Sequence, residues 1–116
     1  GGVYDNNSFA AAPYTTYYDD LWRLDAGVWT QVSTTNGAGA FPQRWFHSAV
    51  YYPVNDALVF FGGLDTSHNR LNDIQSCNLQ TGQWTLLTPV TPANAPNGRY
   101  GQSAVYAGSN QCMLIY

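Results

Sequence analysis

The chain has 116 residues with net charge −3; its four basic residues are all Arg and its seven acidic residues all Asp. Charged residues make up 9%, against about 25% in an ordinary soluble domain, and without Lys or Glu for exposed helix faces a helical bundle or coiled coil is excluded. Four scattered arginines leave no footprint for nucleic acid or an anionic membrane surface. No apolar run reaches the roughly 18 residues of a spanning helix, and 16% aromatics argue against disorder, which leaves an all-β chain.

In chain order, Gly1-Gly2 precedes a long loop-like segment from Val3 to Tyr18, in which Asn6-Asn7-Ser8 is a glycosylation sequon. The segment from Asp19 to Trp29-Thr30 reads as two short strands, and Ser33 to Gln43 as a connection. Trp45 to Tyr52 is the next strand, Pro53-Val54-Asn55-Asp56 a hairpin turn, and Ala57 to Phe61 a β-branched and aromatic strand stopped by Gly62-Gly63. Asp73 to Leu79 alternates, and Gln80-Thr81-Gly82-Gln83 signals a tight turn before the strand Trp84 to Leu87. Thr88 to Gly98 is a further connection, and Ala107-Gly108-Ser109-Asn110 turns a last hairpin. Cys77 and Cys112 are too few for a disulfide scaffold and lack companions for a zinc site. They are read as two half-buried thiols, with a single disulfide as the alternative. The sequon and the missing lysines lean towards an extracellular protein.

The sequence repeats itself. Arg44-Trp45-Phe46-His47-Ser48-Ala49-Val50-Tyr51 aligns with Arg99-Tyr100-Gly101-Gln102-Ser103-Ala104-Val105-Tyr106 at an offset of 55, as do Trp29-Thr30 with Trp84-Thr85 and Leu58–Phe61 with Met113–Tyr116. Asp20-Leu21 aligns with Asp73-Ile74 at 53. Read as a circle, the chain holds two units, residues 1–61 and 62–116. Each has four short strands, Gly-Gly after the second and Trp in the fourth, which is the pattern of a propeller blade.

The ordered set Arg-x-x-His-Ser-Ala-Val, hydrophobic run, Gly-Gly, Asn-Asp-Ile and Thr-Gly-x-Trp-Thr resembles the kelch repeat. Arg44 to Leu87 carries a full copy, Arg99 to Tyr116 the first half of another, and Asp19 to Trp29 a second half. The chain departs from the kelch pattern at Leu24 and Cys77, where Tyr is usual, and at Gln102, which replaces the His seen at His47. The resemblance implies kelch-type β-propeller blades of four antiparallel strands, two per chain, with residues 44–87 an intact blade and residues 99–116 and 1–32 complementary halves of another. Two blades leave faces and an aromatic edge uncovered. The C-terminal half of one copy is therefore expected to pair with the N-terminal half of the next and close a homo-oligomeric ring, three copies giving six blades. The alternative is that the chain is an excerpt of a longer kelch enzyme or scaffold.

Strand parity places the long segments Val3–Tyr18, Ser33–Gln43, Leu64–Leu71 and Thr88–Gly98 on one face, where Tyr4, Phe9, Tyr14, Tyr17, Tyr18, Phe41 and His68 gather. Candidate ligand contacts are Arg44, Arg99, Tyr4, Tyr17, Tyr18 and His68. The competing reading of Arg44 and Arg99 is that they bind loop carbonyls or an Asp such as Asp65 and hold the ring together. Trp29 and Trp84 are expected to be blade-packing anchors, Gly1, Gly2, Gly62 and Gly63 backbone devices, and His47 to bond within its blade. No repeated carboxylate pair, no ordered triad and no Glu is present, so no catalytic residue, cofactor or metal is expected. The kelch resemblance implies a non-catalytic module for protein binding and assembly. The alternative ligand is a carbohydrate stacked on the aromatic loop face.

Overall fold

The computed structural model describes residues 1–5, 15–35, 41, 43–87 and 92–116, whose regular secondary structure is β-strand apart from one short 3-10 turn, Pro92–Asn94. The sequon at Asn6 and the candidate loop residues Phe9 and Tyr14 lie outside the described residues. The strands are β1 (Gly2–Asp5), β2 (Thr15–Tyr18), β3 (Leu21–Asp25), β4 (Val28–Val32), β5 (Arg44–Trp45), β6 (Ser48–Tyr52), β7 (Ala57–Phe61), β8 (Leu64–Asp65), β9 (Ile74–Asn78), β10 (Trp84–Leu87), β11 (Ala104–Ala107) and β12 (Cys112–Ile115).

One antiparallel sheet of four strands, in the order β10-β9-β7-β6, is the centre of the molecule. Two antiparallel hairpins flank it, β3-β4 and β11-β12. Because side chains alternate across a strand, the sheet has two distinct faces. One presents Phe60, Cys77 and Trp84, which are buried together with Phe41; Leu21 and Leu58 pack at the margin of this cluster. Phe41 lies stacked on Trp84, ring centroids 4.1 Å apart, and against Phe60 at 5.2 Å. The opposite face carries Val50, Val59, Phe61, Ile74 and Leu87. It lines a hollow of about 820 Å³ whose far wall includes Met113 and Ile115 of β12.

The structure corrects two local expectations and keeps the reading of two thiols. The first blade strand starts at Ser48 rather than Trp45, because Phe46 adopts a left-handed backbone (φ 55°) that turns the chain out of the sheet. Arg44–Trp45 instead pairs with Leu64–Asp65, Arg44 opposite Asp65. The stretch from Val3 to Tyr18, expected as a loop, contributes β1 and β2, paired with Gly2 opposite Tyr18 and Asp5 opposite Thr15. Cys77 and Cys112 are both free thiols, and burial raises the pKa of Cys77.

Repeat-related elements keep their register. Cys77 faces Trp84 in β9-β10, and Leu24 faces Trp29 in β3-β4. Val50 faces Val59 in β6-β7, and Val105 faces Leu114 in β11-β12. Their surroundings differ sharply: Trp84 is 3% exposed, whereas Trp29 is 63% exposed. Trp84 packs in the core cluster with Phe41, Phe60 and Cys77, whereas no described segment covers β3-β4 at Trp29 as Phe41 covers the sheet at Trp84.

Candidate functional site, the rim at the Gly-Gly end of the blade

The C-terminal ends of β7 and β10 and the N-terminal ends of β6 and β9 share one end of the central sheet. Here the backbone leaves the ladder at Gly62 and Gly63, both with positive φ (66° and 97°). A Cβ on Gly62 would stand 2.7 Å from the Arg99 carbonyl, so glycine is required for the close approach as well as for the backbone angle. Gly63 N–H donates to that Arg99 carbonyl at 2.8 Å. The contact repeats one unit earlier: a Cβ on Gly1 would meet the His47 ring at 3.1 Å and the Arg44 carbonyl at 3.3 Å. The Gly-Gly step of one unit thus seats the Arg-x-x-His/Gln segment of the next.

Arg44 is the keystone of this end. Its side chain is fully buried, and its guanidinium donates to both carboxylate oxygens of Asp73, at 2.8 and 2.7 Å, and to the Gly62 carbonyl at 3.0 Å. It also lies over the Phe41 ring at 4.7 Å. Burial alone would raise the Asp73 carboxyl; hydrogen bonds from Arg44 and Gln75, together with the guanidinium charge, overcome it and leave the carboxyl below the usual carboxylate range. The carboxylate that holds Arg44 is therefore Asp73, not Asp65. The latter closes its own loop, accepting from the main chains of Ser67 and Asn69 and from the Asn69 amide. Those bonds, the Asn69 amide foremost, hold its pKa down.

His47 makes no hydrogen bond through its buried Nδ1, contrary to the expected bond within the blade. It packs edge-on to Phe41 and against Phe60. Burial, with the N-terminal ammonium and Arg44 nearby, pushes its pKa down to about 4, so it is neutral at pH 7. Gln102, its counterpart in the repeat, donates instead to the Phe61 carbonyl at 2.7 Å and to Ser48 Oγ at 3.1 Å.

Above this buried layer lies an aromatic rim. Tyr17 packs on Trp45 at 5.0 Å, and the exposed His68 meets the same indole edge-on at 5.4 Å. Tyr4 and Tyr18 are exposed on β1-β2. The sequence motifs did not single out Phe46, Tyr100 and Arg70. Phe46, 60% exposed, lies 6.1 Å from the exposed Tyr100, whose ring faces Arg70 at 5.9 Å. One signal was legible in the alignment: Phe46 stands where the next unit has Gly101, and both take positive φ (55° and 70°). An exposed Phe on a glycine backbone gains no burial to offset its strain, a feature that concentrates at functional surfaces. Arg99, unlike Arg44, is exposed, and its Nε donates to the Asn97 carbonyl at 3.2 Å. Among the described residues, no three His, Cys, Asp or Glu side chains gather as a metal site.

The KLHDC2/KLHL20/DRC7 kelch-repeats domain family matches residues 1–116. The chain belongs to the kelch-repeat family. It is also similar to the dynein regulatory complex subunit 7 of Chlamydomonas reinhardtii, 41% identical over 69 residues, which are 59% of this chain and 6% of that protein's length. The kelch assignment accounts for the four-stranded sheet and for Trp84 in its last strand, and the open sheets among the described residues fit part of a propeller.

Proposed function

We propose that this kelch chain is a non-catalytic protein-interaction and assembly module. Its partner is bound on the aromatic rim, and its propeller is completed by pairing of half-blades between copies. The observation that carries the assembly reading is the contrast between Trp84 and Trp29, equivalent in sequence and register, one 3% and the other 63% exposed. Leu24 and Trp22 on the same hairpin are exposed as well. An uncovered aromatic hairpin of this kind is stable in water only when another surface covers it. For the rim, support comes from the exposed Phe46, Tyr100 and Arg70, residue types enriched where proteins bind one another. The name of the Chlamydomonas relative, a complex subunit, agrees with an interaction role.

Sedimentation velocity over a dilution series tests the assembly: a concentration-dependent closed oligomer is expected, and a well-folded monomer throughout overturns it. A peptide array probed with the wild type and with Phe46→Ala/Tyr100→Ala tests the rim. Sequence-selective peptide binding lost in the variant is expected; binding indifferent to it refutes the rim.

A further inference from the structure

Building on the half-blade pairing just proposed, we infer that Asp20, Trp22 and the Gly1 carbonyl form a receptor for the Arg99 guanidinium of a second copy of this chain. In the central sheet the corresponding site is occupied. Arg44 donates to Asp73 and to the Gly62 carbonyl, Gln75 Nε2 donates to Asp73 Oδ2 at 2.9 Å, and Gly62 N–H donates to the Asp73 carbonyl at 3.3 Å. One repeat earlier, Gly62, Asp73 and Gln75 become Gly1, Asp20 and Trp22. The same frame is present there: Gly1 N donates to the Asp20 carbonyl at 2.8 Å, and Trp22 Nε1 donates to Asp20 Oδ2 at 2.6 Å. The Asp20 side chain is 26% exposed and the Asp73 side chain 25%, so even the accessibility of the carboxylate is reproduced. The Gly1 ammonium also lies 3.6 Å from Asp20 Oδ1, a loose ion pair that leaves the bidentate place unfilled; what this frame lacks, among the described residues, is the guanidinium.

The matching guanidinium is at the other end of the chain. One repeat after Arg44 comes Arg99, exposed and paired with no carboxylate among the described residues. No ion pair joins it to its own Asp20. The β3-β4 hairpin adjoins the Phe60–Trp84 face of the central sheet through Leu21, and β11-β12 faces the opposite side across the hollow that Met113 and Ile115 help line. Socket and plug lie on opposite sides of one sheet, the arrangement of a heterologous interface.

Strand register is compatible with the same contact. If β3 of the second copy adds to β12 as β9 adds to β7, the pairs Val59–Ser76 and Leu58–Cys77 become Leu114–Arg23 and Met113–Leu24. The added hairpin then enters the 820 Å³ hollow beside β12 and carries Trp29 to the position that Trp84 holds in the intact sheet. The two ends differ in charge as well as shape, and that specifies a second copy rather than a generic apolar surface.

The test is sedimentation velocity and native mass spectrometry on the full chain and on Arg99→Asp, Asp20→Arg and the combined Arg99→Asp/Asp20→Arg. Each single change places like charges in the receptor and is expected to weaken association by about 100-fold, and the combined change to recover to within about tenfold of wild type. Near-ultraviolet circular dichroism checks that each variant keeps its core. A monomeric wild type overturns the assembly reading and this receptor together. An assembling wild type whose single variants associate unchanged overturns the receptor and leaves the assembly standing. Folded single variants that fail to recover in combination also overturn the receptor.

Discussion

Replacing Asp73 by Ala would leave the Arg44 guanidinium fully buried with both carboxylate acceptors gone, the Gly62 carbonyl still accepting from it. Removing one partner of a buried ion pair costs about 3–5 kcal/mol, because the remaining charge keeps its desolvation penalty without its compensation. The Asp73 side chain retains 25% exposure, so water can partly replace it, and a loss of about 3 kcal/mol is expected. Against a domain stability of about 5–15 kcal/mol, that is a fifth or more of the total. In urea, with a slope of about 1–3 kcal/mol per molar, the midpoint falls by about 1–3 M. Trp84 fluorescence follows the transition, since this indole is buried beside Phe41. The double change Arg44→Met/Asp73→Leu removes both charges and is expected to recover most of the loss. A loss below about 1 kcal/mol for Asp73→Ala, or a double variant as unstable as the single one, would refute the role given to this pair. The pair also sets an acid limit. The Asp73 carboxyl lies below its unfolded value, so its contribution is fully present above about pH 4 and is lost as pH falls further.

His47 imposes a second pH dependence. Its folded pKa is about 4 against 6.5 for the free side chain, so the unfolded chain binds the extra proton between those values and stability declines as pH falls through that window. His47→Gln, which installs the residue found at Gln102, is expected to flatten the stability profile between those limits in urea titrations; an unchanged slope refutes it. Phe46→Gly relieves a left-handed backbone at an exposed position and is expected to raise stability by about 1 kcal/mol in the same assay, while weakening peptide binding at the rim. A destabilised Phe46→Gly would mean that the ring packs more than its exposure indicates. Gly62→Ala drives a Cβ against the Arg99 carbonyl at positive φ and is expected to cost about 2 kcal/mol or more and to loosen the β11-β12 hairpin, measured by hydrogen exchange of β11 amides. Unaltered exchange would show that the Gly-Gly contact does not hold that hairpin.

Much of the architecture was legible in order and spacing alone. Repeated Trp, Gly-Gly and Arg-x-x-His/Gln positions identify strands and blade because they serve local demands: a strand must alternate, a turn needs Gly82, and a backbone crossing at Gly62 excludes a side chain. These demands recur in every unit and so appear as a period. Which residues are buried follows a different rule. Trp29 and Trp84 are equivalent in sequence and register, as are Arg99 and Arg44, yet only one of each pair is covered, because burial depends on what lies across the sheet rather than on the strand itself. The same holds for partners. Asp65 is nearer to Arg44 in sequence and directly opposite it in β5-β8, but Asp73, just before β9, holds the guanidinium, while the Asp65 carboxylate is taken up by the main chains of Ser67 and Asn69 in its own loop. By itself the sequence determined the blade and its repeat. Packing between elements decided which arginine became a beam inside the blade and which was left as an exposed plug.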